Sequence, residues 1–110
     1  MSSDGHYILN EDREAVPATL MEWAEMFNHP EKRIIARTEM PFIHPDVRVS
    51  TVFLGLDHAY GGGEPLLFET MIFGGEHDQY QDRCSTFTQA LEMHSAALGL
   101  LIERKEKDKE

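Results

Sequence analysis

A chain of 110 residues with a hydrophobic fraction of 41% is long enough for one domain with its own core and too short for two. Its 20 acidic and 10 basic residues give a net charge of −10, which repels phosphate backbones and anionic membranes, so we expect no direct nucleic-acid binding and no membrane binding. The single cysteine excludes an internal disulfide and Met1–Tyr7 lacks the apolar run of a signal peptide, which predicts a cytoplasmic protein.

The first part of the chain predicts a strand, a helix and a second strand. His6–Leu9 has a strand pattern, and a helix opens at Thr19 and ends at the turn formers of residues 28–30. Lys32–Thr38 has the pattern of a second strand. An irregular connection over 41–45, bracketed by two prolines, follows this strand. The apolar residues at helical spacing in the first helix are Leu20, Trp23, Ala24 and Phe27.

The second part predicts an antiparallel hairpin and a long helix. Val47–Leu56 and Leu66–Phe73 are rich in β-branched and aromatic residues, and a glycine-rich loop over 57–65 joins them. A short strand near Arg83 precedes a helix that starts at the capping sequence of residues 86–89 and runs to about Lys105. One apolar stripe of that helix consists of Phe87, Ala90, Leu91, His94, Ala97, Leu98 and Leu101.

These elements predict an α+β fold, in which two helices pack on a small antiparallel sheet with a long central hairpin. We expect a single domain over 1–110, with a folded body over 6–102 and a charged, frayed tail over 103–110. The central strands are apolar on both faces, whereas a sheet with one wet face shows cleaner alternation. Either the two helices therefore lie on opposite faces, or a second copy covers one face in a homodimer.

The glycine-rich loop is the first candidate binding site. A phosphate-binding loop needs a following helix and a lysine near its end, but here a strand follows and Asp57 and Glu64 flank the glycines. The loop is then either a mobile hairpin tip or a segment that orders on a partner. The candidate binding residues are Asp57, His58, Tyr60, Gly61, Gly62, Gly63 and Glu64.

Glu69 and His94 are the candidate catalytic residues. Glu69 shares a strand face with apolar side chains, so its carboxylate needs a partner, either an arginine such as Arg48 or Arg37 or a substrate for which it is a general base. Pairing of Leu56 with Leu66 would place Glu69 opposite residue 53. His94 interrupts the stripe of the last helix, where it is either a core-edge histidine or the acid–base partner of Glu69.

Other reactive side chains do not form a recognisable site. Cys84 has no surrounding hydrolase signature, which predicts a half-buried structural cysteine. No metal-binding spacing such as HExxH or CxxC occurs, and residues 57–58 and 77–78 lie at opposite ends of a strand, roughly 20–25 Å apart. We therefore predict neither a metal nor a cofactor. The residues competent as ligands are His44, Asp57, His58, Glu69, His77, Asp78 and His94.

The segment Asp46–Gly75, DVRVSTVFLGLDHAYGGGEPLLFETMIFGG, resembles a group of small proteins encoded by bacteriophages, prophages and mobile elements. The flanking residues Tyr7–Leu9, Glu22–Ala24 and Arg83 with Ser85 and Thr86 agree with the same group. The function of this group is unassigned, so the resemblance implies no catalytic residue. It implies a phage-type protein that occupies a host protein or sequesters a small molecule.

The leading hypothesis is a non-enzymatic phage-type accessory protein in the bacterial host cytoplasm that binds a host protein with a basic surface. Residues 1–86 hold 15 acids and 6 bases, so the negative charge belongs to the folded body, and anti-defence inhibition is one role such a protein can have. The first alternative is a binder or sponge of a nucleotide or metabolite. The second is a metal-assisted or acid–base hydrolase.

Overall fold

The computed structural model describes residues 5–40, 44–58 and 63–109, and it confirms the α+β fold. A two-stranded sheet, β1–β2, accompanies a four-stranded antiparallel sheet in the order β3-β4-β5-β6, and two helices pack against them. The strand β2 is not in the sequence prediction. The elements are β1 (Tyr7–Leu9), β2 (Ala15–Pro17), α1 (Leu20–Phe27), a 3₁₀ turn (Pro30–Lys32), β3 (Ile34–Met40), β4 (His44–Phe53), β5 (Phe68–Phe73), β6 (Gln81–Cys84) and α2 (Phe87–Lys109).

The central hairpin β4–β5 forms as predicted, but its register differs by one residue. Glu69 lies opposite Val52, and Phe53 lies opposite Phe68. The two phenylalanine rings are fully buried and their centroids are 5.1 Å apart. A long connecting loop fixes register weakly, so this buried aromatic pair decides it.

Strand β4 starts earlier than the sequence predicts. It begins at His44 and includes Pro45, whereas the two prolines predict an irregular connection over 41–45. The β3–β4 ladder changes register between Glu39 and Met40, next to this proline. Proline lacks a ladder donor and is tolerated at such irregularities, so the strand continues through it.

Both helices lie on the same face of the four-stranded sheet, so of the two alternatives drawn from the sequence, the one with helices on opposite faces is wrong. Met26 of α1 and Met93 of α2 join one core cluster with Phe53 and Phe68. We call this covered side the inner face and the other side the outer face. The remaining inner-face core comprises Val47, Val49, Ile72, Ala97 and Leu101.

Each helix starts at a capping box. Thr19 Oγ1 accepts from the Glu22 backbone N–H at 3.1 Å while the Glu22 carboxylate accepts from the Thr19 N–H at 2.9 Å. In α2, Thr86 Oγ1 accepts from the Gln89 backbone N–H at 3.1 Å and the Gln89 side-chain Oε1 accepts from the Thr86 N–H at 3.2 Å. These reciprocal bonds satisfy donors that a helix start leaves open, which fixes both starts where the sequence predicts them.

The buried face of α1 is rotated from the predicted stripe, whereas in α2 the predicted Ala90, His94, Ala97 and Leu101 are buried and one position differs. In α1 Met26 is buried, whereas Leu20 and Phe27 are exposed. In α2 Met93 is buried and Leu91 is 45% exposed. The helices pack at an angle set by the sheet, which periodicity alone does not fix.

Helix α2 continues to Lys109, past the end predicted near Lys105. Its last residues are almost all strong helix formers, so no local signal stops it earlier. Among the described residues, no helix is both long and apolar enough to cross a membrane.

Candidate functional site

His94 lies between α2 and the inner face of the sheet in a buried polar network. Its Nε2 is 2.9 Å from Thr38 Oγ1 and its Nδ1 is 2.7 Å from Thr51 Oγ1. Thr51 in turn hydrogen-bonds Thr70, the residue opposite it on β5. Burial lowers the pKa of His94, which favours the neutral ring. The network thus ties the helix to three strands of the sheet.

Glu69 lies on the outer face and is held by strand β6. Its Oε2 accepts from Arg83 Nε at 3.0 Å and from Gln81 Nε2 at 2.6 Å. The arginine partner expected from the sequence was Arg48 or Arg37. The actual partner is Arg83 because it lies directly opposite Glu69 on the neighbouring strand.

The structure separates the two candidate catalytic residues. Thr70 contacts the His94 network through Thr51 on the inner face, and successive strand residues point to opposite faces. Glu69, one residue earlier, therefore points away from His94. The two side chains do not form the acid–base couple considered from the sequence.

The glycine-rich loop is closed at its base by hydrogen bonds to Leu66. Asp57 Oδ1 accepts from the Leu66 N–H and the His58 N–H donates to the Leu66 carbonyl, both at 3.1 Å. Gly63 and Glu64 are exposed beyond this closure. Three of the candidate binding residues lie outside the described residues: Tyr60, Gly61 and Gly62.

Among residues 5–40, 44–58 and 63–109, no three His, Cys, Asp or Glu side chains come together as a potential metal site. Asp78, one of the competent ligands, caps the β5–β6 turn instead, because its Oδ1 accepts from the Gly74 N–H at 2.6 Å. Cys84 is half-buried, as predicted, and burial raises its pKa to about 11. A thiol with that pKa is a poor nucleophile at neutral pH.

A groove beside α1 is the surface feature that sequence reasoning missed. One hollow of about 510 Å³ lies between β1 and α1, and its apolar lining includes Ile8, Leu9, Met21 and Met26. A second hollow of about 460 Å³ shares Leu9 and Lys32 with the first. We call the two hollows together the α1 groove.

The apolar side chains at the α1 groove are unusually exposed. Met21 is 80% exposed, the adjacent Leu20 is 60% exposed, and Ile34 at the far end is 41% exposed. Large apolar side chains clustered at a concave surface indicate an interaction site. The available sequence signal was Met21, a long apolar residue outside the predicted stripe of α1.

Carboxylates form most of the rim of the α1 groove. Glu25 and Glu31 lie on either side of the His29 ring, at 3.5 and 3.4 Å from its nitrogens, and their side chains are 74% and 71% exposed. Glu22 lines the first hollow and Glu11 the second. The basic lining residues are Lys32 and Arg13. Four acids against two bases leave the groove with a negative rim around an apolar floor.

Comparison of the chain with models of protein families, with curated proteins and with solved structures finds no match.

Proposed function

We propose that the chain is a non-enzymatic binding protein whose α1 groove takes a basic amphipathic segment of another protein. The observation that carries the proposal is the apolar lining by Met21 and Met26 with the exposed carboxylates of Glu25 and Glu31 beside it. An amphipathic helix buries its apolar side in such a groove, and its lysine and arginine side chains meet the acidic rim. The net charge of −10 attracts the same partner at longer range.

The contacts of the candidate catalytic side chains support binding over catalysis. His94 is engaged through both ring nitrogens by threonine hydroxyls. Glu69 is paired with Arg83 and Gln81. Burial raises the pKa of the Cys84 thiol to about 11. His94 and Glu69 therefore have contacts within the fold, the Cys84 thiol is a poor nucleophile, and the hydrolase alternative stays an untested prediction.

The biological partner is proposed from the resemblance to phage and prophage proteins alone. On that basis the basic segment belongs to a host protein in the bacterial cytoplasm, and inhibition of a host defence system is the proposed role. The loop over 57–65 remains a candidate second contact, since its exposed residue Glu64 adds negative charge. The small-molecule alternative also stays a prediction.

A titration with a tryptophan-free amphipathic peptide of leucine and lysine tests the groove. Fluorescence anisotropy of a dye attached to the peptide reports binding, because Trp23, the single tryptophan, does not line the groove. We expect saturable binding that weakens as salt rises, because screening reduces attraction between exposed charges. Glu25→Lys should weaken binding by about three- to tenfold at low salt through charge reversal at the rim.

The matched control is Glu92→Lys, which changes the net charge equally on an exposed position of α2. Met21→Gln should also weaken the peptide with little change in thermal stability, because this side chain is already in solvent. Equal losses in the Glu25 and Glu92 variants would mean diffuse attraction to an acidic protein, and would overturn the proposal. Absence of binding by the unmodified protein would overturn it as well.

A further inference from the structure

We propose that the outer face of the four-stranded sheet binds a second copy of this chain. This inference does not depend on the proposed function, because the apolar side chains that carry it, Val52, Met71 and Phe73, do not line the α1 groove.

The centre of the outer face is apolar and uncovered within the described part of the chain. Val52 of β4 and Met71 and Phe73 of β5 point to this side and are only partly buried. Both helices pack on the opposite side, against Phe53 and Phe68. Apolar side chains at the middle of a sheet face gain free energy when another surface removes them from water.

The charges on this face identify the occupant. Residues 5–40, 45–58 and 63–102 hold 15 acidic and 6 basic side chains. The outer face carries three of each, and the remaining surface therefore has 12 acids and 3 bases. The three bases are Arg37, Arg48 and Arg83, and the three acids are Glu39, Asp46 and Glu69.

Two copies of an acidic protein repel each other wherever acids predominate. The outer face is electrically balanced, so two copies can meet there without an excess of like charge. A symmetric dimer places the same patch on both subunits, and a patch with both signs can pair with itself. A basic partner, in contrast, is attracted to the rest of the surface and not to this face.

Contacts within one chain reduce the cost of burying the charged side chains of the outer face in a dimer. Glu69 and Arg83 are 3.0 Å apart, so this pair is already matched within one chain. The Arg48 guanidinium lies over the Phe73 ring, 4.7 Å from its centroid. Paired and stacked charges cost less to remove from water than isolated ones.

The size of the face indicates a reversible dimer. Four strands about 4.8 Å apart and about six residues long give a face of roughly 400 Å² per copy in projection. Stable interfaces bury about 800 Å² per partner, so this contact belongs with the weak, transient ones. We therefore expect a dimer that dissociates on dilution.

Sedimentation velocity over a dilution series from submillimolar to low micromolar protein tests this inference. We expect the average mass to rise from monomer to dimer as concentration increases. Met71→Lys and Met71→Glu should each weaken dimerisation by about tenfold or more, because a charge of either sign would be buried at the centre of the contact. The control is Met21→Lys, an equivalent change in the α1 groove, which should dimerise like the unmodified chain.

A monomer at every concentration would overturn the inference, and so would unchanged dimerisation of both Met71 variants with native circular dichroism. If those variants do not fold, dimerisation of Ser50→Arg is measured instead, because Ser50 is the direct neighbour of Met71 on the same face. Unchanged dimerisation of this variant would overturn the inference. Loss of dimer in Met71→Lys together with normal peptide binding separates this face from the α1 groove. Conversely, we expect Met21→Gln to weaken peptide binding without changing dimerisation.

Discussion

Gly55 is the residue whose conformation fits Trp23 into the fold. Its φ is +75°, and a Cβ added there would lie 2.6 Å from Trp23 Nε1 and 3.0 Å from the Tyr7 carbonyl oxygen. Trp23 Nε1 is buried without a hydrogen-bond partner, so the indole edge lies directly against this backbone. Only glycine allows both the left-handed backbone and the close approach.

Gly55→Ala should destabilise the protein by about 2 to 4 kcal/mol, from backbone strain plus displacement of the indole. Urea unfolding followed by circular dichroism measures this change. Gly99→Ala is the control, because no atom lies within 4 Å of the added Cβ and the residue is helical. It should stabilise the protein by up to about 1 kcal/mol. Equal effects of the two substitutions would contradict the assigned role of Gly55.

Among the secondary-structure elements, α2 covers the inner face of the sheet, so the N-terminal cap of this helix contributes to the stability of the protein. Thr86→Ala removes the hydroxyl that accepts from the Gln89 N–H, and should cost about 1 kcal/mol of stability. Thr88→Ala, an exposed change in the first turn, should be neutral or slightly stabilising. Chemical denaturation of both variants checks the difference, and an equal loss in both would argue against the cap.

The sequence predicted the elements better than their mutual arrangement. Thr19 and the capping sequence at residues 86–89 are local signals, so both predicted helix starts were correct. The register at Glu69 was wrong by one residue because nine loop residues separate the predicted strands and constrain pairing weakly. The apolar pattern on both faces of the hairpin was real, but it could not tell which face the helices would cover.

For the candidate sites too, the sequence predicted single residues better than their mutual arrangement. The sequence identified Glu69 and His94 as unusual residues, and each has specific polar partners in the structure. It could not show that they lie on opposite faces, because that depends on packing. The α1 groove arises where β1 meets α1, and neither Met21 nor Leu9 signals it alone.

For the whole molecule, burial of His94 links stability to pH. Burial lowers its pKa in the folded state below the usual value near 6.5, so the unfolded chain binds the proton more readily. The contribution of the neutral His94 ring to the free energy of unfolding is therefore complete above pH 6.5 and is lost as the pH falls below that value. The loss from this one group is at most about 1.4 kcal/mol per pH unit.

Denaturant unfolding at pH 7.5 and 5.5 measures this dependence, with His94→Gln as the comparison because it removes the titrating ring. The unmodified chain should lose more stability on acidification than the variant. Titration of the His94 ring by NMR gives the folded pKa directly. A ring pKa at or above 6.5 would contradict the prediction, as would equal acid sensitivity of the two proteins.

The strand order β3-β4-β5-β6 follows the chain, and α2 comes after all four strands. During translation each strand can therefore pair with the one made just before it, before the helix exists. Until α2 emerges from the ribosome, Val49 and Ile72, which pack in one cluster with Ala97 and Leu101, lack this cover. A nascent chain stalled before residue 87 would expose apolar side chains on the inner face of its sheet, and chaperones would bind it.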